Sequence, residues 1–207
     1  MRRPSIVFWD VDTQADFMLP GGKLYVPGAE RLIPNLKRLV DAARAGREFL
    51  VSSADAHTPD DPEFQQFPPH CVQGTPGQKK IPETLTDRVF VVQNAPDVPL
   101  PERIAPGQQV LIEKQKLDVF TNPNIEALLA QVEKAFAPAR PEFVVFGVVT
   151  EYCVNCAAKG LLDRGHRVAI VTDAIETLKP EEGKRTLDEL VARGARLVTT
   201  DEALALP

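Results

Sequence analysis

Apolar residues fall along the chain in two alternating patterns: short unbroken runs, and longer stretches in which they recur every three or four positions. The runs at 5–11, 48–53, 109–113, 142–148, 167–172 and 195–199 read as strands. Several are hydrophobic throughout, as strands covered on both faces are. The stretches between them predict helices over 34–45, 124–136, 152–164 and 180–193. Pro34 and Pro180 sit in the first turn of theirs, where the missing N–H costs nothing, and Gly46, Gly165 and Gly194 follow the last turn of three of them. Glycine there supplies the left-handed residue that a helix-to-strand turn needs. Strand and helix in repetition predict an α/β fold, a doubly wound parallel sheet of about six strands with helices on both faces. Ligands of such sheets bind at the carboxyl ends of the strands.

Segment 54–109 breaks the rhythm. It is rich in proline and polar residues and carries one short apolar run, 88–93, so it is expected as a long loop excursion from the end of the second strand, of a length usually reserved for function. The 207 residues suffice for one substantial core and are few for two, so a single domain over 1–207 is expected. A net charge of −5 with no basic stripe argues against nucleic acid or an anionic membrane as partner. Residues 6–9 are apolar but Asp10 and Asp12 follow at once, too short a run for a signal peptide or a span, and a cytoplasmic location is expected. Three cysteines fit a reducing compartment. No GxGxxG follows the first strand, so no dinucleotide cofactor is expected.

The expected strand ends collect the chemistry. The run Phe143-Val-Val-Phe-Gly-Val-Val149 stops just before Cys153 and continues as a helix, which puts a thiol at the positive end of a helix dipole among unpaired N–H groups. The thiolate is expected to be favoured there; the plain alternative is a buried cysteine serving as a small hydrophobe. Asp12 follows the first strand and Lys114 the third. Either alone could be a solvated loop residue, but a carboxylate, an ammonium and a thiol at one sheet edge supply a base, a charge stabiliser and a nucleophile. A second cluster, Asp55, His57, Glu63 and His70, follows the second strand. Imidazole with carboxylate suits one zinc, iron or manganese ion, although proline-rich surface loops also gather such residues. His166, just past Gly165, is expected to be a capping or surface residue, and Cys156 a small core residue.

Three motifs in order, DTQADF (12–17) leading into LPGGKLYVPGAE (19–30), EKQKLDVF (113–120) and GVVTEYCV (147–154), resemble the cysteine hydrolases of the isochorismatase superfamily, and within it the nicotinamidases, also called pyrazinamidases. The resemblance covers most of the chain. It implies Asp12 as catalytic acid–base, Lys114 rather than Lys116 as the lysine, and Cys153 as the nucleophile. The segment Asp55-Ala-His57 with Phe67-Pro-Pro-His70-Cys-Val-Gln-Gly-Thr-Pro-Gly looks like the nicotinamidase metal loop, which implies Asp55, His57 and His70 as ligands of one divalent metal, with Glu63 standing where some members have a third histidine. The resemblance further implies an oxyanion hole of the Cys153 and Val149 backbone N–H groups, with a cis peptide before Val149, and Phe17 and Phe67 packed against the substrate ring.

The implied reaction is deamidation of nicotinamide, or a similar aromatic carboxamide such as pyrazinamide, through a cysteine thioester, by an enzyme with a small-molecule amide substrate and possible assembly as a homo-oligomer. Departures from the pattern bear on the substrate: Glu151 stands where nicotinamidases usually show Asp, Val149 where they show Ala, and Asp118-Val-Phe120 replaces Tyr-Ser-x-Phe. Two other readings stay open. One is a related amidohydrolase of carbamoyl or ureido substrates, or a metal-binding α/β module without turnover. The other takes Cys153-Val-Asn-Cys156 as a CxxC pair in a thiol–disulfide oxidoreductase, which leaves Asp12, Lys114 and the histidines without a task.

Overall fold

The computed structural model describes residues 6–206; residue 5, expected in the first strand, lies outside them. Seven strands are described: β1 (Ile6–Val11), β2 (Phe49–Asp55), β3 (Val89–Val92), β4 (Gln109–Lys114), β5 (Glu142–Val148), β6 (Arg167–Glu176) and β7 (Arg196–Val198). They form one sheet in the order β3-β4-β2-β1-β5-β6-β7, and every pairing is parallel. The parallel doubly wound sheet is as expected, with seven strands in place of about six. The seventh is β3, built from the short apolar run inside segment 54–109. It occupies an edge, with Val89 and Val91 at 38% and 44% exposure, and so lacks the continuous buried stretch that marks a central strand.

Alternation along β1 divides the core. Val7, Trp9 and Val11 face one side, Ile6 and Phe8 the other, as the two-residue period of a strand requires. Helices named in chain order are α1 (Ala15–Met18), α2 (Ile33–Arg44), α3 (Ile125–Phe136), α4 (Asn155–Asp163), α5 (Pro180–Ala192) and α6 (Thr200–Ala205). α2 buries Leu36, Leu39, Val40 and Ala43 among Phe8, Leu50 and Phe146. α3 buries Leu128, Leu129, Val132 and Phe136 on the opposite side, where Phe136 meets Phe49 with ring centroids 4.8 Å apart. Each such leucine removed from water stabilises the fold by about 1.5–3 kcal/mol, which is why the three-to-four spacing overrides weak local signals.

The expected helix over 152–164 begins differently. Thr150–Val154 form one π-helical turn before α4. His166 caps the helix as expected, its backbone N–H donating to Leu161 O, while its side chain is only 6% exposed and its ring packs on Phe143 at 4.8 Å. Cys156 is half-buried rather than a core residue.

Segment 54–109 is folded back onto the sheet. Its one-turn helices, Pro62–Gln65, Pro76–Gln78 and Pro82–Thr84, each open on proline. Backbone bonds from Ala15 N–H to Lys79 O (2.8 Å) and from Ile81 N–H to Thr13 O (3.0 Å) fasten it to the end of β1. Beneath that junction the buried Lys80 ammonium meets Asp10 Oδ2 at 3.0 Å. Burial pushes the Asp10 carboxyl up despite this partner.

Candidate active site

The four central strands β4, β2, β1 and β5 deliver Lys114, Asp55, Asp12 and Cys153 to adjacent positions at their carboxyl ends. Lys114 Nζ lies 2.9 Å from Asp12 Oδ2, is hydrogen-bonded to Asp55 Oδ1, and is 3.6 Å from Cys153 Sγ. All four side chains are buried. Lys116, two residues on, is exposed. Asp12 sits at a left-handed φ of 48°, a conformation an aspartate holds only when its surroundings fix it. Ser53 provides two of the ties: its Oγ donates to Asp12 Oδ1 (2.7 Å) and its carbonyl accepts from Asp12 N–H (3.2 Å). Asp12 Oδ2 accepts no hydrogen bond beyond the ion-pair contact and so keeps a lone pair open.

Charge in this cluster corrects the expectation of a favoured thiolate. Burial pushes the Cys153 thiol well up; the Lys114 ammonium opposes this, and the Asp12 and Asp55 carboxylates push it further up. Burial likewise opposes the charge on Lys114, but the two carboxylates outweigh it and hold the ammonium well above its usual range. Two anions already share one cation, so a second cation, or a carboxylate neutralised by taking up the thiol's proton, is needed before a thiolate can persist.

The metal-loop residues converge beside them. One ligand atom each from Asp55, His57 and His70 lies within 4.8 Å of the others. His57 Nδ1–H donates to Asp61 (3.0 Å) and His70 Nδ1–H to Pro68 O (2.8 Å), which leaves both Nε2 atoms facing Asp55 Oδ2 at 3.8 and 3.7 Å. Glu63 Oε1 is 3.9 Å from each Nε2. The buried Nε2 of His57 has no hydrogen-bond partner. Two imidazoles oriented through their far nitrogens, one with an orphaned lone pair, beside a carboxylate fit a divalent ion. Without an ion, burial lowers the proton affinity of His57, but the carboxylates of Asp55 and Asp61 outweigh it and raise the net value.

A pocket opens above these groups. Phe17 and Phe67 line it, as do Val149, Cys153, His70, Asp55 and Glu63. Phe17 lies 5.3 Å from the His70 ring, and Phe67 stands edge-on to Tyr152 at 6.1 Å. The peptide before Val149 is cis. Gly147 lets β5 close on β1, since a Cβ there would lie 2.1 Å from Val11 O.

Several contributors went unassigned in the sequence. Gln14 is the chief one: its Nε2 donates to Asp55 O (2.8 Å) and Gln78 O (2.6 Å) while its Oε1 accepts from Asp55 N–H (2.7 Å). Its place two residues after Asp12 was a signal for this. Asp61, four residues after His57, also carried one. The wall residues Leu24, Leu117, Tyr152 and Leu178 carried none, because apolar loop residues look alike before the chain is folded.

The family model for the Isochorismatase domain matches residues 6–202, and the chain belongs to the isochorismatase family. It is an isochorismatase-family amidohydrolase with nicotinamidase-like relatives. Nicotinamidase of Escherichia coli (strain K12) is 24% identical over 91% of this chain and 92% of its own length. An N-carbamoylsarcosine amidase of Arthrobacter is 26% identical over 84% of this chain and 59% of its own. The crystal structure of pyrazinamidase of Pyrococcus horikoshii in complex with zinc superposes with a TM-score of 0.74 at 28% identity, covering 95% and 99% of the two chains. No described helix is long and apolar enough to cross a membrane.

Proposed function

We propose that the protein deamidates nicotinamide, or a similar aromatic carboxamide such as pyrazinamide, to the acid and ammonia through a thioester on Cys153. The observation that carries this is the single buried ammonium of Lys114 in reach of Asp12, Asp55 and Cys153 Sγ, beneath a pocket that Cys153, Phe17 and Phe67 line. Asp12 Oδ2 takes the thiol proton as Sγ attacks the amide carbon, and the carbonyl oxygen becomes an oxyanion held by the N–H groups of Cys153 and Val149. Collapse of that adduct expels ammonia with the proton that Asp12 returns. Water, deprotonated by Asp12, then opens the thioester and releases the carboxylic acid. Lys114, paired with Asp12 Oδ2 at 2.9 Å, holds that carboxylate in register with the thiol.

Asp55, His57 and His70, with Glu63 beside them, are the residues that would hold a divalent ion, of zinc, iron or manganese. Bound there, the ion supplies a Lewis-acidic position for a ring nitrogen. Phe17 and Phe67 flank the ring. No Arg or Lys is among the lining residues, which include Asp55 and Glu63, so a neutral amide suits the pocket better than a ureide bearing a carboxylate. On this reading the protein is a single-domain cytoplasmic enzyme of NAD salvage.

Ammonia release from nicotinamide, pyrazinamide, benzamide and N-carbamoylsarcosine, with and without a chelator, tests the proposal. The two nitrogen heterocycles are expected to be hydrolysed fastest, and chelation to raise KM for them. Equal rates on benzamide and nicotinamide would reduce the metal to a loop staple, and preference for the carbamoyl compound would replace the substrate assignment.

A further inference from the structure

The nucleophile's turn reaches outward as well as inward. Glu151, two residues before Cys153, points to the loop between β6 and α5. Its Oε1 accepts from the N–H groups of both Leu178 and Lys179 (2.9 Å each), and its Oε2 accepts from Thr177 Oγ1 (2.6 Å). Thr150 adds a bond from its Oγ1 to Glu176 O (2.8 Å). Gly183 lets α5 close on the same loop, because a Cβ there would lie 2.4 Å from Thr177 Oγ1. These ties fix Leu178 in space. Its side chain lines the pocket with Tyr152, Val149 and Cys153 yet remains 38% exposed. A large apolar side chain at the mouth, held through its own N–H to the segment that carries the thiol, has its distance from Sγ set by one carboxylate.

We propose that Leu178 is the specificity-determining wall at the pocket mouth, limiting the acyl group at Cys153 to about one ring, and that Glu151 is the positioning residue that sets this wall. The proposal rests on the reading of Cys153 as the nucleophile of an amide hydrolase. A carboxylate accepting several hydrogen bonds, two from backbone N–H groups, holds a loop far more firmly than apolar contact at a wet rim. The side chain one carbon longer than aspartate reaches across to that loop.

Two readouts test it on the intact protein. The first is the ratio of kcat/KM for quinoline-3-carboxamide over nicotinamide. The second is the ratio of alkylation rates at Cys153, mapped by mass spectrometry, for N-phenylmaleimide over iodoacetamide, which needs no turnover. Leu178→Ala is expected to raise both ratios about tenfold or more, through KM in the first case, as removal of a pocket wall does. Leu178→Trp is expected to lower them, and Glu151→Ala to move both in the same direction as Leu178→Ala by a smaller factor. Leu178 is exposed and belongs to neither core cluster, so its truncation leaves the core intact. Unchanged ratios in Leu178→Ala overturn the wall while leaving the hydrolase reading in place. A shifted alkylation ratio in a protein that hydrolyses no amide keeps the wall and removes the hydrolase reading. A shift in Leu178→Ala with none in Glu151→Ala overturns the positioning role.

Discussion

At the scale of single residues, the balance between two carboxylates and one ammonium governs what each substitution does. Replacing Lys114 by Met strands Asp12 and Asp55 as buried anions, a loss of about 3–5 kcal/mol of stability that urea denaturation would read, along with loss of turnover. Lys116→Met, at an exposed position, is expected within about 0.5 kcal/mol of the parent. Equal effects of the two would show that the inward register of Lys114 does not matter. Cys153→Ala is expected to lower kcat at least about a thousandfold with the fold retained, since no other group forms the covalent bond. Cys156→Ala, half-buried and one turn on, is expected within about threefold of the parent in kcat. A Cys156 variant as dead as the Cys153 one would revive the paired-thiol reading.

At the scale of elements, what the sequence disclosed follows from burial. β1, β2 and β5 are buried over their full described lengths, so they are mostly apolar, and the polar residues that close those runs mark the strand ends. Asp12 and Cys153 could be placed for that reason, and Lys114 by the same logic on β4. β3 stayed hidden because an edge strand of four residues is half exposed. The π turn stayed hidden because one extra residue per turn leaves the apolar spacing of α4 nearly unchanged. Gln14 was marked only by its place two residues after Asp12; its three hydrogen bonds go to backbone groups 41 and 64 positions away, which no local pattern encodes. Elements also predict their own weak points. Gly147 has φ of 116° and faces Val11 O, whereas Gly165 has φ of 75° with nothing within 4 Å. Gly165→Ala is expected to cost about 1–2 kcal/mol for the left-handed conformation alone, and Gly147→Ala at least about 3 kcal/mol, because clash is added to strain. Equal unfolding midpoints for the two variants would contradict the close approach of β5 to β1.

At the scale of the whole molecule, stability depends on pH through a residue far from the chemistry. Burial pushes the Glu48 carboxyl from 4.5 up to about 7, with Arg47 opposing weakly, and its Oε2 has no partner. The folded state thus binds this proton more tightly than the unfolded chain. The associated stability is fully present below pH 4.5 and is lost as pH rises towards 7. Glu48→Gln, which cannot ionise, is expected to stabilise the protein by about 1 kcal/mol at pH 8 after allowance for partial solvent screening, and to make little difference at pH 4.5. Urea unfolding at the two pH values measures this, and equal effects at both would dismiss Glu48 as the titrating group.

The strand order has a consequence for how the chain comes into being. β1 lies between β2 and β5, so one of its edges pairs with Phe49–Asp55 and the other waits for Glu142–Val148. During synthesis a growing chain that stops short of residue 142 holds Ile-Val-Phe-Trp-Asp-Val with a bare edge, and bare apolar edges invite pairing with other chains. The same late insertion brings Cys153 in behind it, after Asp12, Asp55 and Lys114 have been made. A ribosome stalled in between releases a sticky fragment that lacks Cys153, and only a chain able to cover both edges of β1 acquires that thiol.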